Sequence, residues 1–167
     1  GYWQQVRPVT LVLARLSVFM MIYALFSSFY LGFCFYWYKV SVVATVVEVG
    51  LFMLPFLLAT GSLGIYLSSL FNRRELPTQL YLLVSMPILF VSGFVWPIAL
   101  IPEPLVLASQ VIPAVPAIMG MLELNQLGAG WSAVMPKWLQ LWGLFAVFVT
   151  MAIVAIARKQ KSVNVTS

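Results

Sequence analysis

Long apolar stretches separated by short polar breaks dominate this chain: Leu16 to Tyr38, Val49 to Leu70, Leu80 to Ile101 and Leu139 to Ala157. A helix needs about 20 apolar residues to cross a hydrocarbon core about 30 Å thick, so each stretch predicts one transmembrane helix. The first carries no charge and is bracketed by Arg15 and Lys39; the last runs into Arg158-Lys159-Gln160-Lys161. The expected fold class is an all-α membrane protein with four transmembrane helices. Its expected divisions are a lead-in over 1–15, a transmembrane domain over 16–157 and a tail over 158–167.

The second and third stretches read as a membrane hairpin. Their connection is the charged turn Asn72-Arg73-Arg74-Glu75, and the far end of the third carries Gly93, Phe94, Trp96 and Pro97. An indole beside a proline suits the opposite interface, where Trp and Tyr rings settle at headgroup level. Between the third and fourth stretches, residues 102–138 are too apolar for a solvated loop, yet Leu105 to Ile118 is too short to cross and is broken by Pro113 and Pro116. Short apolar segments of this kind dip into the interface or re-enter. Two short helices are therefore expected in or under the outer leaflet, the second near Ala117 to Leu127, with Gly128-Ala129-Gly130 as the break. A full pair of spans here is the alternative, opposed by Glu123 and the glycines.

Charge orients the hairpin. Arg7, Arg15, Arg73, Arg74, Arg158, Lys159 and Lys161 fall on one side of the expected spans, Lys39 and Lys137 on the other. The positive-inside rule places the first group in the cytoplasm, and an even number of spans then leaves both ends of the segment cytoplasmic.

Composition narrows the chemistry further. Hydrophobic residues make up 63% and charged residues 8%, against roughly half and a quarter in a soluble domain. The net charge of +5 does not point to nucleic acid, because the cations sit beside apolar spans instead of on one polar face. Cys34 is the single cysteine and histidine is absent, so an internal disulfide is excluded, no Ser-His or Cys-His pair can form, and metal sites lack their usual ligands. Gly61-Ser62-Leu63-Gly64 is no phosphate loop, since it lies in an apolar span without the trailing Lys-Ser/Thr. If ATP drives this protein, another chain hydrolyses it. The Asn164-Val165-Thr166 sequon falls on the expected cytoplasmic side, and the opening Gly1-Tyr2-Trp3 reads as the continuation of a longer polypeptide.

Within the spans, Thr60, Gly64 and Ser68 recur every four residues. Such a stripe of small residues permits close helix approach, either inside the bundle or at a subunit interface. Pro55, Pro87 and Pro97 each free a backbone carbonyl and permit a kink. Glu48, Glu103 and Glu123 lie near expected span ends or in the outer segment, where interfacial water serves them.

The run from Gly50 through Trp142 resembles the C-terminal half of ABC type-2 transporter permeases, the membrane subunits of a class of ATP-driven exporters. The matching residues are Gly64-Ile65-Tyr66-Leu67-Ser68-Ser69-Leu70-Phe71, then Asn72-Arg73-Arg74-Glu75 with Gln79. They continue with Pro87 to Pro97, Ile101-Pro102, the paired Pro113 and Pro116, and Asn125-Gln126-Leu127-Gly128-Ala129. The Ser-Gly-aromatic-x-x-Pro element at Ser92 to Pro97 is the most specific part.

The resemblance implies a six-span protomer with a large extracytoplasmic region between its first two spans, paired with a second permease and two ATPase subunits. ATP would sit on the partner and no cofactor on this chain. Arg73, Arg74 and Glu75 would form a cytoplasmic loop, and Gly93, Phe94, Trp96, Pro97, Pro102, Pro113 and Pro116 would belong to an outer gate and re-entrant region. The expected function is export of a hydrophobic drug-like or lipid-type substrate across a bacterial inner membrane, with lipids as neighbours. An ion-coupled carrier, disfavoured by the lack of a mid-span carboxylate, and a non-transporting assembly subunit are the alternatives.

Overall fold

The structure is a computed structural model and describes residues 7–39, 43–71, 76–92 and 100–165. The described elements are helical. Helix α1 (Pro8–Ser28) continues without a break through a π-helical segment (Phe29–Cys34) into the short α2 (Phe35–Trp37). There follow α3 (Val46–Leu70), α4 (Leu76–Val91), α5 (Glu103–Ser109), α6 (Ala114–Asn125) and α7 (Trp131–Val165).

Local chemistry accounts for the helix ends. Pro8 opens α1, where its fixed φ suits the first turn and its missing N–H is not needed. Lys39, at φ 51°, takes the left-handed conformation just after α2 and turns the chain away. Thr45 and Glu48 form a reciprocal capping box on α3: the Glu48 N–H donates to Thr45 Oγ1 at 3.3 Å, and the Thr45 N–H donates to Glu48 Oε2 at 2.9 Å. After α6, Gly128 adopts φ 60° and the Ala129 N–H donates back to the Glu123 carbonyl at 3.0 Å, so the expected glycine break is a folded stop.

Among the described residues, three helical runs are long and apolar enough to cross a membrane: Pro8–Trp37, Val46–Leu70 and Trp131–Gln160. Their extents differ from the hydropathy reading. The first takes in Arg15, because an arginine near a helix end reaches the interface along its own stem. The last begins at Trp131, tolerating Pro136 near its start, and runs as helix to Val165 through much of the expected tail. Helix α4 has 16 residues, about 24 Å at 1.5 Å per residue, less than the ~30 Å core; residues 93–99 lie outside the described ones. Helices α5 and α6 are two short helices meeting at 97°, and α6 spans 114–125 against the expected 117–127.

Helix α3 is the centre of the packing. On one side Val49 and Phe52 interlock with Ala117 and Leu124 of α6 and with Val134 and Leu141 of α7. On the other, Ile65 joins Val12 and Leu16 of α1 and Ala152 and Ile156 of α7. Two glycines set these approaches. A Cβ on Gly61 would lie 2.8 Å from Leu16 Cδ1 and 2.9 Å from Phe19 Cδ1, and one on Gly120 would enter the Phe52 ring. Outside these clusters large apolar side chains are exposed, among them Phe26, Phe29, Phe33 and Leu83. Lipid tails are as apolar as these side chains, so such faces carry no penalty in a bilayer, and packing and hydrogen bonds must hold the helices together. At the end of the first run, Phe29, Phe33 and Trp37 stack in series with ring centroids 5.4 and 5.9 Å apart.

Candidate functional site

Polar contacts between helices concentrate where the bent pair α5–α6 meets the start of α7. Lys137 Nζ donates to both carboxylate oxygens of Glu123, at 2.8 and 2.9 Å. One turn further along α7, Gln140 Nε2 donates to the Gln110 carbonyl at 3.0 Å and to its Oε1 at 3.1 Å. Lys137 and Gln140 are three residues apart, so they share one face of α7. That face holds the bent pair at two points: Glu123 in the last turn and a half of α6, and Gln110 in the corner after α5.

The same region of α7 is tied to α3. Pro55 lacks the N–H that would close the helical bond to the carbonyl of Leu51. Trp138 Nε1 donates to that carbonyl at 3.0 Å, so an indole from α7 replaces the missing backbone donor. Trp138 belongs to an aromatic ladder, Trp131, Trp138, Trp142 and Phe145, with successive centroids 6.0, 5.9 and 5.9 Å apart in edge-to-face geometry. The opening turns of α7 thus brace the bent pair on one side and the proline site of α3 on the other.

The sequence-derived candidates fall into separate places. Pro102 is the N-cap position of α5 and exposed, while Pro113 caps α6 and is buried together with Pro116. Thr60, Gly64 and Ser68 line a groove of about 490 Å³ bounded by α1, α3 and α4, which Arg15, Tyr23 and Tyr81 also line. A Cβ on Gly64 would meet nothing within 4 Å, so Gly61, not Gly64, marks the close approach of α1. Thr60 Oγ1 is enclosed without a hydrogen-bond partner, and Ser68 Oγ donates to the Ile65 carbonyl at 2.9 Å. Arg73, Arg74, Glu75, Gly93, Phe94, Trp96 and Pro97 lie outside the described residues.

Sequence reading missed the Glu123–Lys137 and Gln110–Gln140 pairs, since the partners lie on different elements, 14 and 30 residues apart, with a turn or break of the chain between them. It found half of the Trp138–Leu51 contact: Pro55 announces an orphaned carbonyl, but nothing local names its donor. Among the described residues, these hydrogen bonds and this ion pair join α7 to α3 and to the bent pair.

A membrane domain of long apolar helices with a bent pair braced on the last of them is the class of structure in view. The family model described as "ABC-2 family transporter protein" matches residues 3–154, and this chain belongs to that family. Searches of curated proteins and of solved structures return no match. Membership makes the chain a permease of an ABC transporter, a multi-pass membrane protein, and implies association with an ABC ATPase.

Proposed function

We propose that this permease serves an ATP-driven exporter that moves a hydrophobic drug-like or lipid-type substrate out of the cytoplasm or the inner leaflet of a bacterial inner membrane. ATP binds the partner ATPase, and this chain carries no cofactor. Two permease subunits face each other, with the Arg73-Arg74-Glu75 loop and both ends of the segment on the cytoplasmic side. Closure of the ATPase pair squeezes the permeases, and the proline-bearing α3 and α4 pass the movement to an outer gate around Gly93 to Pro102, with α5 and α6 re-entering the outer leaflet beside it.

The brace between the bent pair and α7 is the observation that supports this reading. It uses an ion pair with both side chains partly exposed, and amide hydrogen bonds. Such contacts contribute about 1 kcal/mol or less each, so a helix pair held by them can separate and re-dock within one transport cycle. Apolar and aromatic walls suit a hydrophobic substrate better than an ion or a sugar.

The test is to express the full-length protein with a tag, solubilise its membranes and assay for a stoichiometric ATPase subunit and vanadate-sensitive ATP hydrolysis. Reconstituted vesicles should then expel a hydrophobic dye only with ATP. Purification without an ATPase, or flux that follows an ion gradient and ignores vanadate, would overturn the proposal.

A further inference from the structure

A cavity of about 270 Å³ lies where the π-helical end of the first run crosses the start of α3, at the opposite end of α3 from the Thr60–Ser68 groove. Its walls are mainly apolar, including Leu31, Phe35, Val49 and Met53. Two wall positions are glycine, Gly32 and Gly50, and a Cβ at either would meet nothing within 4 Å. The space is therefore kept open from both helices. The π turn, Phe29–Cys34, includes Gly32 and widens the first run at this level. Single π turns in longer helices recur at functional sites.

Two polar groups line this wall without a partner among the described residues. Asn125, the last residue of α6, is 9% exposed, and its Oδ1 is enclosed with no hydrogen bond. Its backbone carbonyl is engaged, accepting from the Val43 N–H at 3.4 Å, so the side chain alone is left over. Ser27, half-buried, likewise has no bond to its hydroxyl, whereas its neighbour Ser28 donates to the Ala24 carbonyl at 2.8 Å. Buried amides are nearly always satisfied, and one left unpaired in apolar surroundings costs free energy that a ligand can recover. A mainly apolar cavity with a few convergent polar groups is the usual make-up of a small-molecule site.

We propose that this cavity binds a small apolar molecule carrying one hydroxyl group, with its ring or chain against Leu31, Val49 and Met53 and its hydroxyl donating to Asn125 Oδ1. The volume lies near the lower end of ligand pockets, about 300–1,000 Å³, and so selects compounds of two fused rings or smaller. A bound molecule touches the first run, α3 and the end of α6 at once, and so fixes the bent pair against the two long helices.

The probe pair is 2-naphthol and 2-methylnaphthalene, which share shape and differ by a hydroxyl. Binding is measured by naphthol fluorescence and competition on the full-length permease with its ATPase in lipid nanodiscs, without ATP, after subtracting uptake by empty discs. Wild type should show saturable binding of one naphthol per permease, roughly tenfold tighter than the methyl analogue. Asn125→Leu should reduce that preference to about threefold or less, and Gly50→Leu should abolish saturable binding of both probes. Gly32→Leu fills the cavity from the other helix and replaces Gly50→Leu if that variant fails to assemble. Uptake that is linear in lipid and equal in the filled variants, or a preference unchanged in Asn125→Leu, would overturn the site. The readout is binding without ATP, so either result is independent of whether the complex exports.

Discussion

The indole of Trp138 completes a hydrogen bond that Pro55 denies to Leu51. The 3.0 Å contact spans 87 residues of sequence and joins the opening turns of α7 to the proline site of α3. Trp138→Phe keeps most of the ring and removes the donor, leaving the Leu51 carbonyl unpaired. Loss of about 0.5–1.5 kcal/mol is expected, given the modest value of interhelical bonds in membranes. Combining it with Pro55→Ala, which restores a backbone donor, should cost less than the sum of the two single changes. Thermal unfolding of the four proteins in one detergent would show that coupling; strict additivity would mean the indole bond contributes nothing.

Gly61 and Gly64 lie one turn apart on α3 but face different surroundings. Gly61→Val pushes into Leu16 and Phe19 and should destabilise by about 1–3 kcal/mol, the usual range for overpacking. Gly64→Ala enters open space and should be neutral or gain up to about 1 kcal/mol from helix propensity. Equal losses at the two positions, read from melting temperatures, would contradict this account of the α1–α3 contact.

Gly120 bears directly on Phe52, a fully buried ring in the cluster that joins α3, α6 and α7. Gly120→Ala should destabilise by roughly 1–3 kcal/mol, and Phe52→Leu should relieve part of that penalty by vacating the space the new methyl needs. The check is a double-mutant cycle on assembly yield and thermal stability, in which the pair outperforms Gly120→Ala alone.

The ion pair between Lys137 and Glu123 is partly exposed, so Lys137→Met should cost about 1 kcal/mol or less. The sharper expectation is positional. Charge reversal at Glu123 alone should lower the fraction of α6 docked on α7, which the apolar cluster also holds, and the exchanged pair Glu123→Lys with Lys137→Glu should restore it. Disulfide trapping between cysteines placed on α6 and α7, in a Cys34→Ala background, follows the docked fraction. Trapping rates that ignore all three changes would assign the docking to the apolar contacts instead.

How far the sequence reads depends on the range of the interaction. The helical class and the placing of the long runs follow from apolar length alone, and the end of α6 follows from Gly128. Helix limits escaped where a residue plays an uncommon part. Hydropathy makes Arg15 a boundary, yet it lies inside α1, and it leaves Pro136 in the outer segment, yet Pro136 sits within the first turns of α7. The brace itself was out of reach, because which residue of α7 meets Glu123 or the Leu51 carbonyl is decided by how three helices cross. The cavity beside Asn125 is harder still, since a π turn and two facing glycines leave no periodic mark on the sequence.

Helix α7 is unbroken by proline from Lys137 to Val165. Counted in full, its 35 residues give a length of about 52 Å, well beyond the hydrocarbon core. Its contacts with the bent pair are gathered near one end, and its cluster of cations, Arg158 and Lys159 among them, near the other. The helix is held along its length, since Ala152 and Ile156 near its basic end pack against Val12 and Leu16 of α1 and Ile65 of α3. A tilt of about 5° at Lys137, over about 32 Å to Arg158, would displace the basic end by about 3 Å, so a shift of the bent pair would be felt where α7 packs on α1 and α3.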